Sequence, residues 1–257
     1  MNRIDIVFQK KGYKALIAYV TVGYPDIEAT IKIVPLLAEN GCDIIELGIP
    51  FSDPMADGVT IQHASYCALQ NGVTTQKCLD LVADLRKQAD IPLIFMTYYN
   101  PVYHYGLEKF CKNCVQSGID GLIIPDLTPD EDEELENITA KTGLDLIYLL
   151  SPTSTKTRIE LVAQKSRGFI YMVSLTGVTG ARDNMKFDIN DFVADVRKAT
   201  DKPLCVGFGI STPEQAKQVS QLADGVIIGS QIIKLMEKDD SFASVGKFIR
   251  EIRRAMD

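Results

Sequence analysis

The chain has 257 residues, 46% hydrophobic and 24% charged, too apolar for a disordered protein and long enough for one large domain or two small ones. Its 27 Lys and Arg against 34 Asp and Glu leave a formal charge of −7, which argues against a protein that works by gripping nucleic-acid backbone or an anionic membrane. At first sight the same charge argues against a phosphorylated substrate.

In chain order, strand-like apolar runs rich in β-branched residues fall at 15–20, 43–47, 92–97, 121–125, 145–149, 169–174, 204–207 and 225–228. Each is nearly continuous in hydrophobicity, the pattern of a parallel strand covered on both faces. The segments between them have helical period. After Pro25-Asp26, the stretch 27–39 sets Ile27, Ile31, Val34 and Leu37 or Ala38 on one stripe, and 75–87 repeats this with Cys78, Leu79, Val82 and Leu85. A third helix is expected at 106–117, and Gly41, Gly72, Gly143 and Gly168 mark helix exits.

Eight βα units without a Gly/Ser/Pro-rich linker predict an α/β protein: one single-domain (β/α)8 TIM barrel over residues 1–257, with long catalytic loops after strands 2 and 6. The competing architecture, an open doubly wound sheet, lacks a Gly-x-Gly-x-x-Gly fingerprint at its first βα turn. No apolar run approaches the ~18 residues of a membrane span. The chain begins without an apolar signal segment and scatters six cysteines, so reduced thiols and a cytoplasmic location are expected.

In a barrel, chemistry is sought where strands end. The second strand carries Glu46 inside an otherwise apolar run, and a buried acid is costly unless it is paired or its pKa is raised. From that fragment alone a structural ion pair is as good a reading as catalysis. The loop 51–62 that follows adds Asp53 and Asp57 among Pro and Gly, where Asp53 in isolation reads as a turn former. The sixth strand leads from Tyr171 into a glycine-containing loop with Thr179 and Gly180, of the kind that closes over a substrate.

Strands seven and eight end in Gly207-Phe208-Gly209-Ile210-Ser211 and Gly229-Ser230-Gln231. Glycines there let backbone N–H groups approach an anion, and Ser230 reads as the N-cap of a helix. Phosphate is therefore expected at these two turns, held without Lys or Arg. Cys111 and Cys114 have metal or redox spacing but sit within one predicted helix with no second ligand pair, and the only histidines are His63 and His104. No metal site follows. The acids at 130–134 suit a solvated first helical turn, and Lys247, Arg250, Arg253 and Arg254 suit the last turns of the final helix.

The block Glu46-Leu47-Gly48-Ile49-Pro50-Phe51-Ser52-Asp53-Pro54-Met55-Ala56-Asp57-Gly58, with Gly177-Val178-Thr179-Gly180 and Gly207-Phe208-Gly209-Ile210-Ser211, resembles the tryptophan synthase alpha subunit family. The likeness runs through Tyr19-Val20-Thr21, Met96-Thr97-Tyr98-Tyr99-Asn100-Pro101 and Pro125-Asp126, essentially the whole chain. The resemblance implies a barrel lyase that splits indole-3-glycerol phosphate into indole and glyceraldehyde 3-phosphate. It implies a beta-subunit partner in an alpha2beta2 heterotetramer, with pyridoxal phosphate in the beta subunit and no cofactor or metal in this chain. It assigns catalysis to Glu46 and Asp57, and the indole and glycerol contacts to Tyr19, Met96, Tyr98, Tyr171 and Thr179. Phosphate falls to Gly180, Gly209, Gly229 and Ser230, and Asp53 to the partner interface. A carboxyl in an apolar strand suits Glu46 as proton shuttle, and Asp57 in a polar loop is expected to stay ionised against the indole N–H. The family usually has Pro after Ala-Asp-Gly where this chain has Val59, which puts closure of the Asp57 loop in question. A different phosphate-binding barrel isomerase, a stand-alone lyase and a non-catalytic regulatory subunit are the competing readings.

Overall fold

Why a run such as Ala15–Thr21 becomes a central strand is plain from its burial: every residue of ALIAYVT is covered, which only a sheet with packing on both faces provides. In a computed structural model that describes residues 2–131, 133–173, 189–207 and 209–257, all strands run parallel. They are β1 (Ala15–Thr21), β2 (Ile44–Gly48), β3 (Leu93–Met96), β4 (Gly121–Ile123), β5 (Asp145–Ile147), β6 (Leu149–Leu150), β7 (Ile170–Val173), β8 (Leu204–Gly207) and β9 (Gly225–Ile228). The ladder order is β5-β4-β3-β2-β1-β9-β8-β7-β6. Its two ends, β5 and β6, are pieces of one run parted only by Tyr148, so the sheet returns on itself as a nearly closed barrel. The expected fifth strand is thus interrupted, and the expected eighth is β9.

Alternation sorts the strand residues into two cores. Ile17, Tyr19, Ile44, Ile94, Met96, Ile123, Ile147, Tyr171, Cys205 and Ile227 pack inside the barrel. Leu16, Val20, Ile45, Leu47, Phe95, Leu122, Met172 and Val206 point outward against the helices. Within the outer ring, α2 (Ile27–Glu39) occupies the predicted span; its N-cap Asp26 accepts a hydrogen bond from Ala29 N at 2.7 Å, and Ile33, Val34 and Leu37 supply the buried stripe. The helix ends at Gly41, whose φ of +107° suits glycine. The short α1 (Arg3–Phe8), which the sequence pattern gave no sign of, sends Ile4 into the inner core and sets Phe8 6.0 Å from Phe169, plugging the barrel's lower end.

The lower rim carries a repeated clamp. The residue before β2, β4 and β9 is an aspartate that zips onto a leucine of the strand before it. Asp43 N donates to Leu16 O, Asp120 N to Leu93 O and Asp224 N to Leu204 O, each at 2.8 Å. Each carboxylate accepts the same leucine's N–H in return, at 2.7, 2.9 and 2.9 Å. Arg253, Arg86 and Arg197 complete the three clamps. Arg253 is therefore no mere dipole complement at the end of α12 (Ala243–Met256), as the sequence reading had it. Its side chain is only 13% exposed, and it ties the last helix to Asp43, just before β2, at the lower rim. Such polar clamps at the bottom face stabilise the barrel and leave the upper face for chemistry.

Cys111 and Cys114 are fully buried in α6 (Leu107–Ser117), in keeping with a packing role. Glu133 and Glu134 begin α7 (Glu133–Thr142), whereas Asp130 pairs with Arg158.

Candidate active site

At the upper ends of β1, β3, β7 and β9 a cavity of about 330 Å3 opens, with Tyr19, Met96, Tyr171 and Ile227 in its floor and wall. Asp57 and Ile61 from the β2–α3 segment, and Gly209, Ile210, Ser211, Gly229, Ser230, Gln231 and Lys234 from the ends of β8 and β9 onward, complete its lining. Two glycines make room for the tyrosine tips: a Cβ on Gly48 would overlap Tyr19 Oη, and one on Gly207 would come within 2.5 Å of Tyr171 Oη. Gly207, grouped by sequence with the anion turn, thus serves the tyrosine.

Glu46 stands on β2 in register with Tyr19 of β1 and Ile94 of β3, on the inward face. It is 0% exposed, and neither carboxyl oxygen has a hydrogen-bond partner among the described residues. Burial alone pushes its pKa from 4.5 up to about 8, so the group is mostly protonated at neutral pH. The structural ion pair that the isolated fragment allowed is absent among the described residues. Glu46 lies behind the lining, beside Tyr19 and Tyr171, whose hydroxyls feel its charge.

Asp57 is held differently. Tyr98 Oη donates to Asp57 Oδ2 at 3.1 Å while accepting from Ala56 N at 2.9 Å, and the Tyr98 ring packs 5.3 Å from Phe51. Burial raises the Asp57 pKa to about 6 and the tyrosine hydrogen bond opposes that rise. The loop is therefore less polar than its composition implied, although the carboxylate is still ionised at neutral pH. Tyr98, expected along the indole slot, is not part of the lining; it stands behind Asp57 and fixes it.

Two further expectations change. The loop after β2 ends at Gly58, because α3 spans Val59–Gln70, so residues 59–62 are helical. Ser230 is the first residue of α11 (Ser230–Met236), not its cap; the N-cap is Gly229, which offers no side-chain acceptor. That leaves the first N–H groups of α11 without intrahelical acceptors beside Gly209, whose φ of +79° turns the chain after β8. Thr179 and Gly180 lie outside the described residues. Asp53 is exposed in the β2–α3 loop, away from the cavity lining, and accepts from Ser52 Oγ at 2.5 Å. Among the described residues no cluster of three or more His, Cys, Asp or Glu is placed to hold a metal ion, and no helix is long and apolar enough to cross a membrane. Sequence reasoning missed Ile61, Ile227 and Lys234, which belong to apolar or helical runs whose facing only the barrel reveals.

Two carboxyl groups whose surroundings set them about two pKa units apart define an acid–base enzyme of the (β/α)8 class. Comparison with known proteins narrows that class. Residues 7–255 match the family model described as tryptophan synthase alpha chain. The chain is 58% identical over 257 residues, all of both chains, to a tryptophan synthase alpha chain of Dehalococcoides mccartyi. Among solved structures it is similar to tryptophan synthase subunit alpha from Legionella pneumophila, with a TM-score of 0.91 and 37% identity over 100% of this chain and 99% of that one. It is also similar to tryptophan synthase from M. tuberculosis in its aminoacrylate-bound form, with a TM-score of 0.90 and 34% identity over 100% of both. The chain belongs to the tryptophan synthase alpha chain family.

Proposed function

We propose that the cavity performs the retro-aldol cleavage of indole-3-glycerol phosphate to indole and glyceraldehyde 3-phosphate. The observation that carries this reading is Glu46, a fully buried carboxyl with no hydrogen-bond partner among the described residues, whose burial holds its proton to a pKa of about 8. With the indole ring seated on Tyr19, Met96 and Tyr171, Glu46 turns into the cavity and delivers its proton to indole C3. The ring nitrogen then carries positive charge, which the Asp57 carboxylate offsets through the ring N–H. Glu46, now ionised, takes the proton of the glycerol hydroxyl next to the ring. The carbon–carbon bond breaks, its electron pair returns to the ring and the hydroxyl carbon becomes the aldehyde. Glu46 ends protonated, so the cycle is closed without another acid or base.

The phosphate end lies at Gly209, Gly229 and Ser230, where free backbone N–H groups of α11 meet the turn after β8. A formal charge of −7 does not oppose this, since such donors are absent from a count of Lys and Arg. Thr179 and Gly180 take their places in the closing loop and at the phosphate by family resemblance alone. In the cell the chain acts in the cytoplasm as the alpha subunit of an alpha2beta2 tryptophan synthase. Asp53 lies at the partner interface, pyridoxal phosphate is confined to the beta subunit, and this chain needs no cofactor.

The test is indole release from indole-3-glycerol phosphate by the purified chain, alone and with a beta subunit. Turnover that Glu46→Gln abolishes, and that the partner raises, is the expected result. No turnover in either condition overturns the reading, and high turnover indifferent to the partner replaces the subunit with a stand-alone lyase.

A further inference from the structure

The cavity is electrically lopsided. Its acid side is Asp57, anchored by Tyr98. Lys234 is the one cation among the described residues that line the space. The lysines that form ion pairs among the described residues are Lys87, Lys156, Lys165, Lys198 and Lys247, so no carboxylate among the described residues pairs with Lys234 at the mouth. It sits one helical turn after Ser230 on α11, and helical side chains lean back toward the N-terminus, in the direction of Gly229 and Ser230, with which Lys234 shares the cavity lining. Ile232, Ile233, Leu235 and Met236 are buried on either side of it, which fixes the face that Lys234 presents.

We propose that Lys234 binds the phosphate of the substrate from the solvent side and orients it, resting on the retro-aldol reading of this cavity. A phosphate monoester carries between one and two negative charges at neutral pH. In a chain of net charge −7 it is repelled at long range, and the reverse orientation would set it against Asp57. One ammonium lining the cavity together with Gly229 and Ser230 draws the phosphate to that turn and selects phosphorylated over unphosphorylated indole glycerol. The backbone donors supply geometry; Lys234 supplies the charge.

The experiment compares wild type, Lys234→Met, Lys234→Arg and Lys238→Met by steady-state cleavage at low and high KCl, and by calorimetric titration with glycerol 3-phosphate. Lys238 is an exposed neighbour outside the lining. Lys234→Met is expected to raise KM and weaken glycerol 3-phosphate binding about tenfold, with kcat within about twofold and a flatter dependence of KM on salt. Lys234→Arg retains most of the affinity, and Lys238→Met behaves as wild type. If Lys234→Met binds glycerol 3-phosphate as tightly as wild type, or Lys238→Met loses as much, the inference is overturned. A wild-type chain without turnover both alone and with a beta subunit overturns the retro-aldol reading instead, and the titration still decides the role of Lys234.

Discussion

Replacing Glu46 with glutamine is expected to make the protein inactive and, relative to wild type, progressively more stable as pH rises. In the folded chain the Glu46 carboxyl keeps its proton to about pH 8, whereas in the unfolded chain it loses it near 4.5. Between those values the folded state binds more protons than the unfolded one, so this group's contribution to stability is fully present below 4.5 and is lost as pH climbs through 8. At about 1.4 kcal/mol per unit, the loss is about 3 kcal/mol at pH 7 and approaches 5 kcal/mol above pH 8.5. Glutamine has no proton to lose, and the cost of burying its amide does not vary with pH. The difference in unfolding free energy between variant and wild type therefore widens by roughly 2 to 3 kcal/mol from pH 5 to pH 7, several degrees in melting temperature for a chain of this size. Urea unfolding of both proteins at pH 5, 7 and 8.5 reads the effect directly. A difference that stays flat across the three pH values refutes the claim that burial holds the Glu46 proton.

Cleavage by wild type should show a bell-shaped kcat/KM profile, falling below about pH 6 as Asp57 takes a proton and above about pH 8 as Glu46 loses one. Tyr98→Phe removes the hydroxyl that donates to ionised Asp57, so the acid limb should move to higher pH while the alkaline limb stays; an unmoved acid limb would detach Tyr98 from Asp57. Val59 is the first residue of α3, where proline fits, and Gly58 before it has φ −74° and ψ 162°, a conformation that a following proline favours. Val59→Pro should therefore stabilise by about 0.5 to 1 kcal/mol in thermal or urea melts, and a loss of stability would show that the helix start is set otherwise. Asp120→Ala strands Arg86, whose side chain is 12% exposed, and should cost about 3 to 5 kcal/mol, against about half a kcal/mol or less for Asp84→Ala in its exposed pair with Lys87. Equal costs would deny the clamp its role.

The barrel was legible because both faces of a parallel strand demand apolar residues, so 204–207 and 225–228 read directly as β8 and β9. Glu46 was legible for the same reason, as the residue that breaks such a run. What stayed hidden depends on contacts far apart in sequence. Arg253 reads as helix surface until the barrel brings it to Asp43, and six residues of α1 are too few to show a period. The start of α3 was missed because Gly58 and β-branched Val59 look like loop, although an N-cap and a first helical turn accept both. Lys234 was invisible as a site residue because a lone lysine in Ile-Ile-Lys-Leu-Met describes any amphipathic helix, and only the position of α11 over the mouth gives it a task.

The most direct test of the central claim is the proton on Glu46 itself. Infrared difference spectra of wild type against Glu46→Gln, with carbon-13-labelled glutamate, should show a protonated carboxyl band at pH 7 that titrates away near pH 8. A carboxylate already ionised at pH 6 would contradict the account, since Glu46 would then have no proton to deliver.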